Sequence, residues 1–140
     1  MVDGIKYIET VKQYFSFLTG EFDFRILRET ENGNAFYKVE YSDAARIISI
    51  SYENIEDYLQ VIVYKLDHGK LPAYDDKKRT LHLSELNRRV LSEISKEEIE
   101  HNRKEFDLFA VNDTLSRQLL KSAKELRLVL KHWNLAIVLR

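Results

Sequence analysis

Between residues 22 and 65 the chain changes period. "FDFRILRE", "AFYKVEY", "RIISISYE" and "YLQVIVYKL" are short runs rich in β-branched and aromatic residues, with a partial two-residue alternation. "ENGN" at 31–34 sets Asn-Gly between the first two, a strong hairpin signal. "SDAA" and "ENIED" separate the others by only a few residues. Connections this short join antiparallel neighbours, so the stretch predicts a four-stranded antiparallel meander. Alternation puts Phe22, Phe24, Ile26, Val39, Tyr41, Ile48, Ile50, Tyr52, Leu59, Val61 and Val63 on a buried side. Asp23, Arg25, Lys38, Glu40, Ser49, Ser51 and Gln60 take the other side, together with Leu27, Phe36, Ile47, Ile62 and Tyr64.

Helical spacing flanks the sheet. Ile5, Ile8, Val11, Phe15 and Leu18 recur every three or four residues, with Asp3 placed to cap the start and Gly20 placed for a left-handed end. Residues 67–79, "DHGKLPAYDDKKR", have no period and predict an exposed loop. Leu83, Leu86, Val90 and Ile94 then predict a short helix from near Ser84. "SKEE" at 95–98 has the form of a capping box and opens a helix running to about Phe109. Asn112-Asp113 caps a long final helix from Thr114 toward the C-terminus. The whole predicts a single α+β domain over residues 1–140: an N-terminal helix, the meander, and two or three C-terminal helices packed on the sheet. A length of 140 residues, 44% of them hydrophobic, suits one such core.

The closing stretch, "KHWNLAIVLR", tests that reading. A membrane helix needs about 20 mainly apolar residues, and Lys131, His132 and Asn134 interrupt this one at once. Laid out at about 100° per residue, Leu115, Leu119, Ala123, Leu126, Val129, Leu130, Trp133 and Ile137 form one wide stripe, as a core-facing helix requires. Leu128, Leu135 and Leu139 lie on the other side around His132. They read either as a second contact with the helices of 84–109 or as the seam of a homodimer or protein partner.

Chemistry is sparse. The chain has no cysteine, which removes disulfides, thiolate metal sites and thiol nucleophiles and suits a reducing cytoplasm. The first residues lack the basic and apolar regions of a signal peptide, so a cytoplasmic location is expected. No glycine-rich phosphate loop or nucleophile motif occurs, and no cofactor is predicted. His68, Asp75, Asp76 and His82 have the donor types for a divalent cation, the runner-up reading being a small metal-dependent hydrolase of the 68–82 region. Against it, Asp-Asp-Lys-Lys-Arg reads as a self-compensating charge cluster. Glu98-x-x-His101 has the spacing of carboxylate-bridged iron sites, which require two such pairs where this chain has one.

Charge is uneven although the net is −1. Residues 114–140 carry six basic groups and one acidic, and residues 1–63 carry six basic and eleven acidic. A basic final helix with Tyr37, Tyr41, Tyr52, Tyr58 and Tyr64 as stacking platforms is a nucleic-acid reading, which the acidic sheet opposes. A protein-binding domain fits better. Aromatic residues supply contact area and acids steer toward a basic partner, with Asp43, Glu53, Glu56, Asp57 and Tyr58 at the sheet's turns as the binding residues.

The order of features from "FSFLTGEFDF" to "DYLQVIVYKL" resembles small uncharacterised bacterial proteins that include immunity proteins of polymorphic toxin systems. The shared residues are Phe17-Leu18, Glu21-Phe22-Asp23-Phe24, Val39-x-Tyr41, Ile48-x-Ile50-x-Tyr52-Glu53, then "LHLSEL" at 81–86. The pattern commonly has Gly where Asp23 stands, and the long final helix has no counterpart in it. The resemblance covers roughly residues 5–90 and implies fold more than activity. It implies a domain that acts without catalysis, by masking a cognate toxin, and assigns no individual binding residue.

Overall fold

The computed structural model describes residues 2–137. The chain divides into two compact units, Met1–His82 and Leu83–Arg140.

The first unit holds α1 (Gly4–Tyr14), α2 (Phe17–Gly20), β1 (Arg25–Asn32), β2 (Phe36–Ser42), β3 (Arg46–Glu53), β4 (Tyr58–Lys65) and β5 (Thr80–His82). The strands form one antiparallel sheet in the order β1-β2-β3-β4-β5. The expected four-stranded meander is therefore present and extended by a fifth strand. Its three residues are too few to show a period. They become a strand because the preceding loop folds back: Lys65 N–H donates to Arg79 O at 2.8 Å, Arg79 Nη1 to Leu66 O at 2.9 Å and Thr80 Oγ1 to Ala73 O at 2.8 Å. Leu81 then pairs with Val63.

Register fixes the faces. Tyr37, Tyr52 and Leu59 lie in one row, Val39, Ile50 and Val61 in the next, and Tyr41, Ile48 and Val63 in a third. Their common side is the predicted buried one, and α1 lies over it. The Tyr7 hydroxyl donates to Ile50 O at 3.1 Å, and its ring sits 5.7 Å from Tyr37 and 5.9 Å from Tyr52. Asp3 caps α1 as expected, accepting from Lys6 N–H at 3.1 Å.

Four expectations need correction. Ile26 is exposed although it pairs with Tyr41 and so shares the core-facing side: it stands on the edge strand β1, just before the register shift between Ile26 and Arg28. Ile5 is exposed as well, since α1 buries Gly4, Tyr7, Ile8, Val11 and Tyr14 and its buried stripe begins one position earlier. Gly20 closes α2 without a left-handed backbone; the left-handed residue that follows is Asp23 at φ 58°. Glu40, expected on the polar side, is buried there between Arg28 Nη1 at 3.4 Å and Lys38 Nζ at 3.7 Å.

The second unit holds α3 (Leu83–Leu91), α4 (Lys96–Lys104), α5 (Thr114–Lys131) and α6 (Trp133–Ala136). Ser95 caps α4, accepting from Glu98 N–H at 3.1 Å, and α4 ends at Lys104, short of Phe109. Asp113 and Ser116 form a reciprocal capping box on α5. The final helix does not run on to the C-terminus. His132, at φ −120° and ψ 43°, leaves helical geometry and divides it into α5 and α6, giving four helices among the described residues where two or three were expected. Within this unit α5 touches α3, α4 and α6. Leu115, Leu119, Ala123, Leu126, Val129 and Leu130 of the predicted stripe are buried, and so are Leu120 and Leu128. No helix among the described residues is long and apolar enough to cross a membrane.

Candidate interaction site at one end of the sheet

In an antiparallel meander, alternate turns lie at opposite ends. The turns at Gly33–Ala35 and Asn54–Asp57 share one end of the sheet, and the turn at Asp43–Ala45 lies at the other. The five predicted binding residues are split accordingly. Glu53, Glu56, Asp57 and Tyr58 come together; Asp43 is a strand length away, roughly 23 Å at about 3.3 Å per residue. Asp43 organises its own turn there. Its Oδ1 accepts from Ala45 N–H at 2.9 Å and Arg46 N–H at 2.6 Å, and its Oδ2 accepts from Arg46 Nη2 at 2.7 Å.

The shared end is acidic and apolar at once. Residues 31–36 and 53–58 hold Glu31, Glu53, Glu56 and Asp57 and no basic residue. Ile55 is 76% exposed and Tyr58 54% exposed, while Glu56 and Asp57 stand in solvent beside them. A turn presenting an isoleucine in this way would ordinarily be loose. This one is tied down. Asn54 N–H donates to Ala35 O at 2.9 Å, joining the two turns, and the Asn54 side-chain amide donates to Asn34 O at 2.6 Å. Asp57 takes a left-handed φ of 50° and accepts a hydrogen bond from the Tyr52 hydroxyl. Burial first, and then that bond to a carboxylate, push the Tyr52 phenol up to about 12.

Gly4 contributes from below. A Cβ at this position would lie 2.6 Å from Tyr37 Cε1 and 2.8 Å from Glu31 Oε2, so only glycine lets α1 begin this close to the sheet. Gly4→Ala sets a helix-propensity gain of about 1 kcal/mol against an overpacking cost of about 1–3 kcal/mol. The Tyr37 ring is buried, and its hydroxyl is held by Val2 O at 2.8 Å, so it has nowhere to swing. The collision wins, and thermal unfolding should move down by a few degrees, roughly 2–6 °C. An unchanged or raised midpoint would show that the sheet yields at this contact.

The other predicted groups lie apart. His68 is exposed at φ 52°, with Nδ1 2.8 Å from Asp67 Oδ1. Asp75 is exposed, Asp76 Oδ1 accepts from Lys78 N–H at 3.1 Å, and His82 on β5 meets the Tyr74 ring edge-on at 6.2 Å. Among the described residues, no three His, Asp or Glu side chains are grouped to hold a metal ion. Glu98 turns to the junction of α5 and α6, where Oε2 and His132 Nε2 share a hydrogen bond of 2.5 Å; His101 is exposed. Of the tyrosines read as stacking platforms, Tyr37, Tyr41 and Tyr52 are buried, Tyr64 is partly covered and Tyr58 is exposed. On the basic helix, Arg127 is buried and donates to Asn102 Oδ1 at 2.8 Å, and Lys121 pairs with Glu125 at 3.4 Å. In the proposed seam, Leu128 is buried, His132 is engaged by Glu98, and Leu135 is half-buried. Leu139 lies outside the described residues.

Nothing in the sequence singles out Asn54, whose partners lie far along the chain. Ile55 carries one legible signal, an aliphatic residue inside an otherwise polar turn. No family model, curated protein or solved structure matches the chain.

Proposed function

We propose that the chain is a protein-binding domain of the masking, immunity-like kind, and that it docks the turn at Asn54–Asp57 against a basic protein surface with an apolar socket for Ile55. The observation that carries this reading is the pairing of exposure with order. Ile55 is 76% exposed on a turn tied at both Asn54 and Asp57. Its burial by a partner recovers roughly 1.5–3 kcal/mol, and a turn already held in place loses little conformational entropy when bound. Tyr58 extends the contact. Glu53, Glu56 and Asp57 form a rim that accelerates encounter with a positive surface and rejects a negative one. A toxin that acts on nucleic acid, with a basic active surface, is the partner class this chemistry fits.

A photo-crosslinking residue placed at position 55, in cells of the source organism, tests the reading against the same residue at Ala44, at the opposite end of the sheet. One discrete protein adduct is expected at position 55 and none at 44. Glu56→Lys should cut its yield about tenfold, as a lost rim charge slows association. Absence of an adduct at 55, or the same adducts at both positions, would sink the proposal.

A further inference from the structure

Asn54 makes more contacts than its own turn requires. Besides Asn34 O, its side-chain amide reaches Val2 O at 3.1 Å and the Tyr37 hydroxyl oxygen at 3.1 Å, and its Oδ1 accepts from Val2 N–H at 3.1 Å. Tyr37 closes the ring by donating to the same Val2 O at 2.8 Å. One side chain thus joins three segments: the residue preceding the α1 cap, the β1–β2 turn and the β3–β4 turn. The partners lie 20 and 52 positions away, so local turn propensity cannot replace them.

We propose that Asn54 is a positioning residue that makes the presentation of Ile55 depend on Val2 being docked beside Tyr37. The inference rests on the reading of this turn as the binding surface, and adds what sets its geometry. Withdrawing Val2 takes one donor and one acceptor from the Asn54 amide at once. The amide is then left with the Asn34 carbonyl and the Tyr37 hydroxyl, on the side of the β1–β2 hairpin, and the turn loses its tie to the helix. Gly4 belongs to the same device, because its missing side chain lets Val2 approach. Ordering the turn before encounter is what makes an exposed isoleucine useful, since each loose side chain that must be fixed on binding subtracts from affinity.

The test compares Val2→Pro, which removes the Val2 N–H donor and keeps its carbonyl, with Asn54→Ala and with Tyr37→Phe, the mildest of the three. Backbone order parameters for residues 55–57 are expected to fall from about 0.85 to below about 0.6 in Val2→Pro and Asn54→Ala. The double variant should fall no further than the worse single, and Ile48 and Ile50 should stay rigid throughout. Tyr37→Phe should loosen the turn partway, which keeps the test readable if either harsher variant does not fold. Crosslinking yield at position 55 should drop about tenfold in Val2→Pro while remaining at wild-type level in a Leu71→Ala control. Wild-type order at 55–57 in Val2→Pro, or equal loosening of the whole sheet, overturns the proposal. Order parameters are read on the chain alone, so a wild type that gives no adduct overturns the binding reading and leaves these values to decide the coupling.

Discussion

Above pH 10 the first unit is expected to lose stability steeply and to unfold cooperatively near pH 12. The cause is a set of phenols that cannot ionise where they stand. Tyr7 and Tyr41 are each 1% exposed. Burial raises both well above the ordinary phenol range, with the neighbouring Tyr41 and Tyr52 adding to the rise at Tyr7, and Glu29 at Tyr41. In the unfolded chain a tyrosine gives up its proton near pH 10. Between that pH and the folded values, the unfolded state binds fewer protons than the native state, so rising pH favours unfolding. The stability these two groups confer is whole below about pH 10 and is lost above it, at up to about 1.36 kcal/mol per pH unit each, or about 2.7 together. A domain holding 5–15 kcal/mol is driven toward its limit within a few units. Tyr52 and Tyr64, also raised by burial first, act in the same direction. Tyrosinate absorbance followed together with far-ultraviolet circular dichroism checks this. Tyr7 and Tyr41 should ionise only in step with loss of strand signal. Ionisation of Tyr7 and Tyr41 around pH 10 with the strand signal intact would show that their hydroxyls reach water.

The same tyrosines show how much of the fold is written locally. Tyr41 and Tyr52 sit on the side that alternation assigns them, with Val39, Ile48, Ile50, Val61 and Val63, because the period of a strand leaves each residue only two faces to choose between. The first hairpin follows from Asn-Gly, and Gly33 takes the left-handed φ of 60° that such a turn asks for. What escapes the sequence is set by partners distant along the chain. Thr80–His82 is a strand only because Val63 and its neighbours offer an edge, and three residues have no pattern of their own. Ile26 reads as core and pairs with Tyr41 on that side, yet its place on the edge strand leaves it exposed. The candidate site divides in the same way. Its acids are legible as turn charges, and its separation from Asp43 follows from the alternation of meander turns. The hold on Ile55 comes from Val2, Asn34, Ala35 and Tyr37, and no local pattern reports bonds of that span.

The second unit is expected to fail at Leu128 as severely as at Leu126. The two residues stand about 200° apart on α5, so only one of them can belong to a single apolar stripe. Leu126 is 0% exposed, however, and Leu128 is 3% exposed. A helix covered on two sides is a central helix, in keeping with its contacts to α3, α4 and α6. Truncating either leucine to alanine opens a cavity that the neighbours fill only in part, at a cost of about 2–5 kcal/mol. Facing opposite ways, the two sites share few neighbours and their costs should nearly add. The double variant would then lose about 4–10 kcal/mol, as much as many domains possess. Trp133 is the only tryptophan in the chain and lies in α6, so its fluorescence under urea reports this unit directly. Leu135→Ala, at a half-buried position, should cost less than either single core truncation. Protein concentration separates a core from a subunit seam. If Leu128 packs within its own chain, the urea midpoint of wild type and Leu128→Ala differs by the same amount at every concentration. If it packs against a second copy, wild-type stability rises with concentration by mass action while the variant's stays flat, and a gap that widens with concentration would return Leu128 to an interface.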